Sequence, residues 1–167
     1  MSKKIIKSEI TNILFCGIGG QGVLKASEIA GDAAMLAGFH AKKSEVHGMS
    51  QRGGSVDSHL RFGKVVYSPL ISPKAAHFLV PFAAEEGLPM KKFLAKDGVD
   101  LTPFLEKAAA ASIDKKFLNT YMLGVLAAYV PAIAYEYWIT SLGRIFKRAI
   151  DENIAVFKQG FEEAGKK

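Results

Sequence analysis

The six residues Gly17-Ile18-Gly19-Gly20-Gln21-Gly22 satisfy the pattern G-x-G-x-x-G. Glycines at this spacing let the backbone turn sharply and approach a phosphate closely. Outward N–H groups and the positive end of a following helix then meet the anion. Lys25, a turn further on, adds a full charge. Gly17, Gly19, Gly20, Gln21, Gly22 and Lys25 are therefore candidate cofactor-binding residues. For a dinucleotide, the acidic residue on the ribose would be Glu45, 23 positions after Gly22. The plain alternative is a strand-to-helix turn whose glycines serve packing only. The G-K-S/T ending of a P-loop is absent.

A second cluster runs Ser44-Glu45-Val46-His47-Gly48-Met49-Ser50-Gln51-Arg52-Gly53-Gly54-Ser55. Arg52 can grip a carboxylate or phosphate with two parallel hydrogen bonds, and glycines beside it let a ligand or another chain come near. His47, Ser50, Gln51, Arg52, Gly53, Gly54 and Ser55 are candidates for a partner-facing or shared-site loop. No residue is nominated as catalytic or as a metal ligand. Cys16 ends an apolar run and reads as a small core residue. His40, His47, His59 and His77 show no ligand spacing, and no serine sits in a G-x-S-x-G elbow.

The elements that must hold these clusters follow from periodicity. Residues 10–16 read as a buried strand and residues 20–36 as a helix, with Gly38 placed to end it. Strands are expected over residues 39–46, 55–62 and 77–80, with a short one at 65–67. A helix over residues 82–96, interrupted near Gly87 and Pro89, leads to an Asp97-Gly98 turn. A further helix starts at Pro103, capped by Asp100 or Thr102. Asn119 caps a helix over 121–129, and two more helices follow. Strands alternating with helices imply an α/β fold: a Rossmann-like three-layer domain with a mostly parallel sheet and a helical C-terminal tail.

Composition agrees. A chain of 167 residues with 49% hydrophobic and 23% charged residues is one globular domain, residues 1–167. One cysteine excludes a disulfide framework, a zinc ribbon and a four-cysteine iron–sulfur cluster held by this chain alone. The net charge of +6 gathers partly at the termini, in Lys3, Lys4, Lys7, Lys166 and Lys167. No interior run interleaves cations with stacking aromatics, so nucleic acid is not expected as a partner. The N-terminus reads as lacking a secretory signal, which implies a cytoplasmic protein. Residues 117–135 carry no formal charge, but Asn119, Thr120 and Pro131 fit a core helix and turn better than a membrane span.

The stretches Gly17-Ile18-Gly19-Gly20-Gln21-Gly22-Val23, residues 44–55 as written above, and Ser58-His59-Leu60-Arg61-Phe62-Gly63 together resemble the gamma subunit (or domain) of 2-oxoacid:ferredoxin oxidoreductases. The likeness leans toward the small subunit of the indolepyruvate type. Tyr67-Ser68-Pro69-Leu70-Ile71 and Asn119-Thr120-Tyr121-Met122-Leu123-Gly124 also fit. The resemblance implies an enzyme complex that oxidatively decarboxylates a 2-oxoacid, such as pyruvate or indolepyruvate, to an acyl-coenzyme A and passes two electrons to ferredoxin. Thiamine diphosphate with Mg and 4Fe–4S clusters would sit on thiamine-diphosphate-binding and ferredoxin-like partner subunits. This chain would hold no cofactor alone, be inactive alone, support assembly and help to bind coenzyme A. Two rivals remain: a free-standing NAD(P)-binding domain using Gly17–Gly22 and Glu45, and a purely structural assembly subunit. One departure stands out. After the helix expected at 82–96, a strand and its connection, roughly twenty to thirty residues, are missing from the expected pattern.

Overall fold

The computed structural model describes residues 9–47 and 53–166. Strand β1 (Ile10–Ile18) lies at the centre of a five-stranded sheet. Its unbroken apolar run is explained by cover on both faces. Ile13 and Phe15 point to a large helical layer, while Leu14 and Cys16 point to a smaller cluster with Ile71, Ala76 and Leu79. Helix α1 (Val23–Leu36) follows and buries Ala26, Ile29, Ala30, Ala33 and Ala34. These mostly small side chains let it lie close to the sheet. It ends as expected at Gly38, whose φ is +91°.

Strands β2 (His40–His47) and β3 (Ser55–Gly63) come next, and then β4 (Ala76–Pro81). The strand order is β2-β3-β1-β4-β5. The parallel pairing expected from alternation holds for β1 with β4 and for β4 with β5. β3 instead runs antiparallel to both β1 and β2, so the sheet is mixed. Residues 65–67 form no strand.

Between β4 and β5 the structure corrects the sequence reading. The helix expected to reach residue 96 is α2 (Ala84–Met90), followed by a single 3-10 turn at Lys91–Phe93. Leu94–Asp100 then forms β5. Asp97-Gly98 is strand and not a turn, and the strand thought missing is present. A Cβ at Gly98 would stand 2.7 Å from the Ala76 carbonyl, so glycine admits close approach of β4 at an irregular register.

Four helices complete the chain: α3 (Pro103–Ala110), α4 (Leu118–Tyr129), α5 (Tyr135–Ile145) and α6 (Ile150–Gly165). α4 is buried from Asn119 to Ala128, which accounts for the uncharged stretch. A Cβ at Gly124 would collide with the Phe157 carbonyl, and one at Gly160 with the Tyr121 carbonyl. The two glycines thus bring α4 and α6 into backbone contact. α4 begins before Asn119, so that residue does not cap it from outside. Among the described residues no helix is long and apolar enough to cross a membrane.

Candidate functional site

α1 carries the chain from β1 toward β2 on one side, and α2 carries it from β4 to β5 on the other. The boundary between β1 and β4 is therefore the topological switch point, where a crevice opens beyond the strand ends. A cleft of about 640 Å³ lies there, lined among others by Gly20, Gln21, Phe82, Glu85, Lys115 and Lys116. That volume is in the usual range for small-molecule sites.

The glycine turn forms one wall, and each of its residues has a distinct reason. Gln21 folds back so that its Oε1 accepts from the Ile18 N–H at 2.7 Å. Its Nε2 donates to the Phe82 carbonyl at 3.1 Å, tying the loop after β1 to the loop after β4. A Cβ at Gly17 would stand 2.8 Å from that Oε1 and 2.9 Å from Val23 Cγ2. Gly22 precedes α1 at φ +80°, and a Cβ there would strike the Asn119 side-chain amide. Asn119 Nδ2 donates to the Gly22 carbonyl at 3.4 Å. Gly20, at φ +94°, has no described atom within 4 Å of the place a Cβ would take.

The two clusters singled out in the sequence meet here. The Gly19 N–H donates to the Gly54 carbonyl at 2.9 Å, and the Gln21 N–H to the Ile18 carbonyl at 3.1 Å. Those two amides are engaged within the protein and do not point outward as the bare motif suggests. Ser55 is exposed and pairs with Ile18 at the ends of β3 and β1. Gly53 is in the left-handed region at φ +70°. Ser50, Gln51 and Arg52, together with the side chain of His47, lie outside the described residues.

Lys25 is exposed on the first turn of α1 and is not part of the cleft lining. The cations in the lining are Lys115 and Lys116, which sequence reasoning passed over. They sit in a 3-10 turn whose Asp114 side chain accepts from the Lys116 N–H, and only the return of the chain into α4 brings them to the glycine turn. Asn119 was misread for a similar reason. Its neighbour Thr120 donates to Asn153 Oδ1 at 2.7 Å, and Asn153 Nδ2 donates to the Ala149 carbonyl at 2.8 Å. A buried polar chain thus links the glycine turn to the start of α6.

Glu45 does not complete a dinucleotide site. β3 stands between β1 and β2, so Glu45 is two strands from the glycine turn, about 9–10 Å sideways. Its carboxylate pairs with Lys43 at 2.9 Å.

Cys16 is 1% exposed, and burial, followed by the charges of Asp57, Glu86 and Asp100, pushes its thiol up to about 12. Such a thiol is no nucleophile and no cluster ligand. Among the described residues no group of three His, Cys, Asp or Glu is placed to hold a metal. An iron–sulfur cluster does not fit these residues.

A mixed five-stranded α/β sheet with a glycine turn at its topological switch point defines the class of fold. More specifically, residues 12–102 match the family described as pyruvate ferredoxin/flavodoxin oxidoreductase, and the chain belongs to that family. Indolepyruvate oxidoreductase subunit IorB of Thermococcus kodakarensis is 42% identical over 91 residues, 54% of this chain and 45% of that protein. The IorB of Archaeoglobus fulgidus is 45% identical over 86 residues, 52% of this chain and 42% of its own length. The match to these curated relatives thus spans about half of each.

Among solved structures, the gamma subunit of a keto/oxoacid ferredoxin oxidoreductase from Geobacter sulfurreducens superposes with TM-score 0.75 at 22% identity, covering 92% of this chain and 98% of that one. A 2-oxoglutarate:ferredoxin oxidoreductase from Magnetococcus marinus, solved with 2-oxoglutarate, coenzyme A and succinyl-CoA, gives TM-score 0.74 at 15% identity, covering 95% of this chain and 32% of that one. At these identities the likeness is one of fold, and it includes the C-terminal helices.

Proposed function

We propose that this chain is the gamma-type subunit of a cytoplasmic 2-oxoacid:ferredoxin oxidoreductase, of the indolepyruvate or related aryl-oxoacid type. The complex converts a 2-oxoacid, coenzyme A and two oxidised ferredoxins to acyl-coenzyme A, CO2, two reduced ferredoxins and a proton. Thiamine diphosphate, Mg and the 4Fe–4S clusters belong to other subunits, in keeping with the single buried Cys16. Thiamine diphosphate, when bound there, supplies the carbanion chemistry of decarboxylation.

This chain's part is to assemble with those subunits and to hold the phosphate-bearing end of coenzyme A in the switch-point cleft. Gly20 leaves room beside the turn, and Lys115 and Lys116 supply positive charge. The N–H groups of the first turn of α1 add a partial charge. The observation that carries this reading is that the family match covers the glycine turn and the loop after β4, which form one half of the cleft lining, while the helical region with Lys115 and Lys116 forms the other half.

The test is kinetic. The assembled complex should reduce a viologen dye only when 2-oxoacid and coenzyme A are both present, and this chain alone should not. Lys115→Glu with Lys116→Glu should raise the apparent KM for coenzyme A about tenfold and leave that for the 2-oxoacid in place. The effect should shrink as salt rises, because exposed charges are screened. Unchanged coenzyme A kinetics in a normally assembled complex would return the cleft to a structural role.

A further inference from the structure

Residues 64–75 cross the sheet face opposite the helical layer as a strap between β3 and β4. Its backbone is held from beneath at several points. The Val66 N–H donates to His40 Nδ1 at 3.0 Å, and the Ile71 N–H to His59 Nδ1 at 3.0 Å. Lys42 Nζ donates to the Tyr67 carbonyl at 3.2 Å, and Arg61 Nη1 to the Ser68 carbonyl at 2.8 Å. Val66 and Ile71 are buried at 0% and 3% exposure and anchor the strap by packing.

Between and beside those anchors, apolar side chains are held out of the protein. Tyr67 is 88% exposed, Leu70 55% and Val65 45%. A pinned backbone presenting an aromatic and two aliphatic side chains has already lost much of the entropy that docking would otherwise cost. Clustered exposed apolar groups of this kind mark interaction sites. The strap's own charges are basic: Lys64 and Lys74 stand at its two ends, and residues 58–84 contain neither Asp nor Glu.

We propose that the strap docks another subunit of the complex through an acidic face with an apolar socket for Tyr67. This rests on the reading that the chain works within a multi-subunit oxidoreductase. Charge complementarity selects the partner: an acidic rim would meet Lys64 and Lys74, while a second copy of this chain would set those lysines against their own counterparts. A lipid surface fits less well, since Lys42 and Arg61 are turned onto the strap's own carbonyls.

The experiment compares variants of the co-expressed complex by subunit dissociation constant. Tyr67→Ala should weaken association about 30-fold, as expected of a central aromatic anchor. Lys64→Glu with Lys74→Glu should weaken it about tenfold at low salt and less at high salt. A benzophenone side chain placed at position 67 should cross-link to a segment of another subunit rich in Asp and Glu. Unchanged affinity in both variants would overturn the proposal while leaving the complex itself standing. So would a cross-link between two copies of this chain, or phosphatidylserine vesicle binding that Tyr67→Ala abolishes while association persists. A wild-type chain that associates with no other subunit would overturn the functional reading and the strap proposal together.

Discussion

The glycine turn at residues 17–22 and the strap at residues 64–75 are both irregular segments closing onto the same sheet, and they engage the protein in opposite ways. In the turn, side chains are excluded or turned inward: Gly17 and Gly22 are glycine because Gln21, Val23 and Asn119 occupy the space a Cβ would need. In the strap, the backbone is fixed by His40, Lys42, His59 and Arg61, while Tyr67 and Leu70 remain outside. The difference separates shape from contact. The turn's residue types are set by this chain's own interior, whereas the side chains of Tyr67 and Leu70 stand exposed among the described residues.

Substitutions sharpen that contrast. The largest effect is expected at Gly22→Ala, which sets a side chain at φ +80° against Asn119. Left-handed strain of about 1–2 kcal/mol and overpacking of about 1–3 kcal/mol should together lower unfolding free energy by about 2–5 kcal/mol in denaturant titrations. Loss of under 1 kcal/mol would mean that Asn119 yields easily. Gln21→Ala removes the hydrogen bond that closes the turn on the Ile18 N–H and the one that ties it to the loop after β4. It should cost about 1–3 kcal/mol, read as a lower denaturation midpoint with unchanged slope.

Acid should act on the strap's end before the turn. His77 Nδ1 accepts from the Asn12 N–H at 2.9 Å, and Asn12 Nδ2 donates to the Ala75 carbonyl at 2.9 Å. Burial, and then the Arg61 charge, lower the His77 pKa below its ordinary 6.5. The unfolded chain therefore binds more protons between the two values, and stability falls as pH drops from about 6.5 toward the lower one. The protection factor at Asn12, corrected for the intrinsic exchange rate at each pH, should fall over that interval while that at Gly19 holds, and His77→Gln should flatten the dependence. Equal loss of protection at both sites would show the two segments opening together. The smallest effect is expected for Tyr67→Ala, whose stability should stay within about 0.5 kcal/mol of wild type by thermal denaturation. A larger loss would make Tyr67 a structural residue and end the contrast.

Much of the sheet was legible because its strands carry strong patterns. The buried run through Ile13, Leu14 and Phe15 and the small-residue face of α1 have no competing reading. β5 was not legible, since Lys96, Asp97 and Gly98 on a partly exposed edge strand mimic a turn. Asn119 has the chemistry of a cap, and only the proximity of Gly22 shows why it lies within a helix. Lys115 and Lys116 resemble ordinary surface cations in the sequence and become cleft residues because the chain returns to line the same cleft as the glycine turn some ninety positions earlier.

By itself the sequence determined the glycine turn, the α/β class, the lone buried cysteine and the family, because local spacing and composition encode these directly. The tertiary structure alone decided that β3 separates Glu45 from the turn, that Gly19 reaches Gly54, which amides remain engaged, and which lysines face the cleft. Those outcomes depend on strand order and long-range packing. Period and propensity act over a few residues and carry no information about which distant segments will meet.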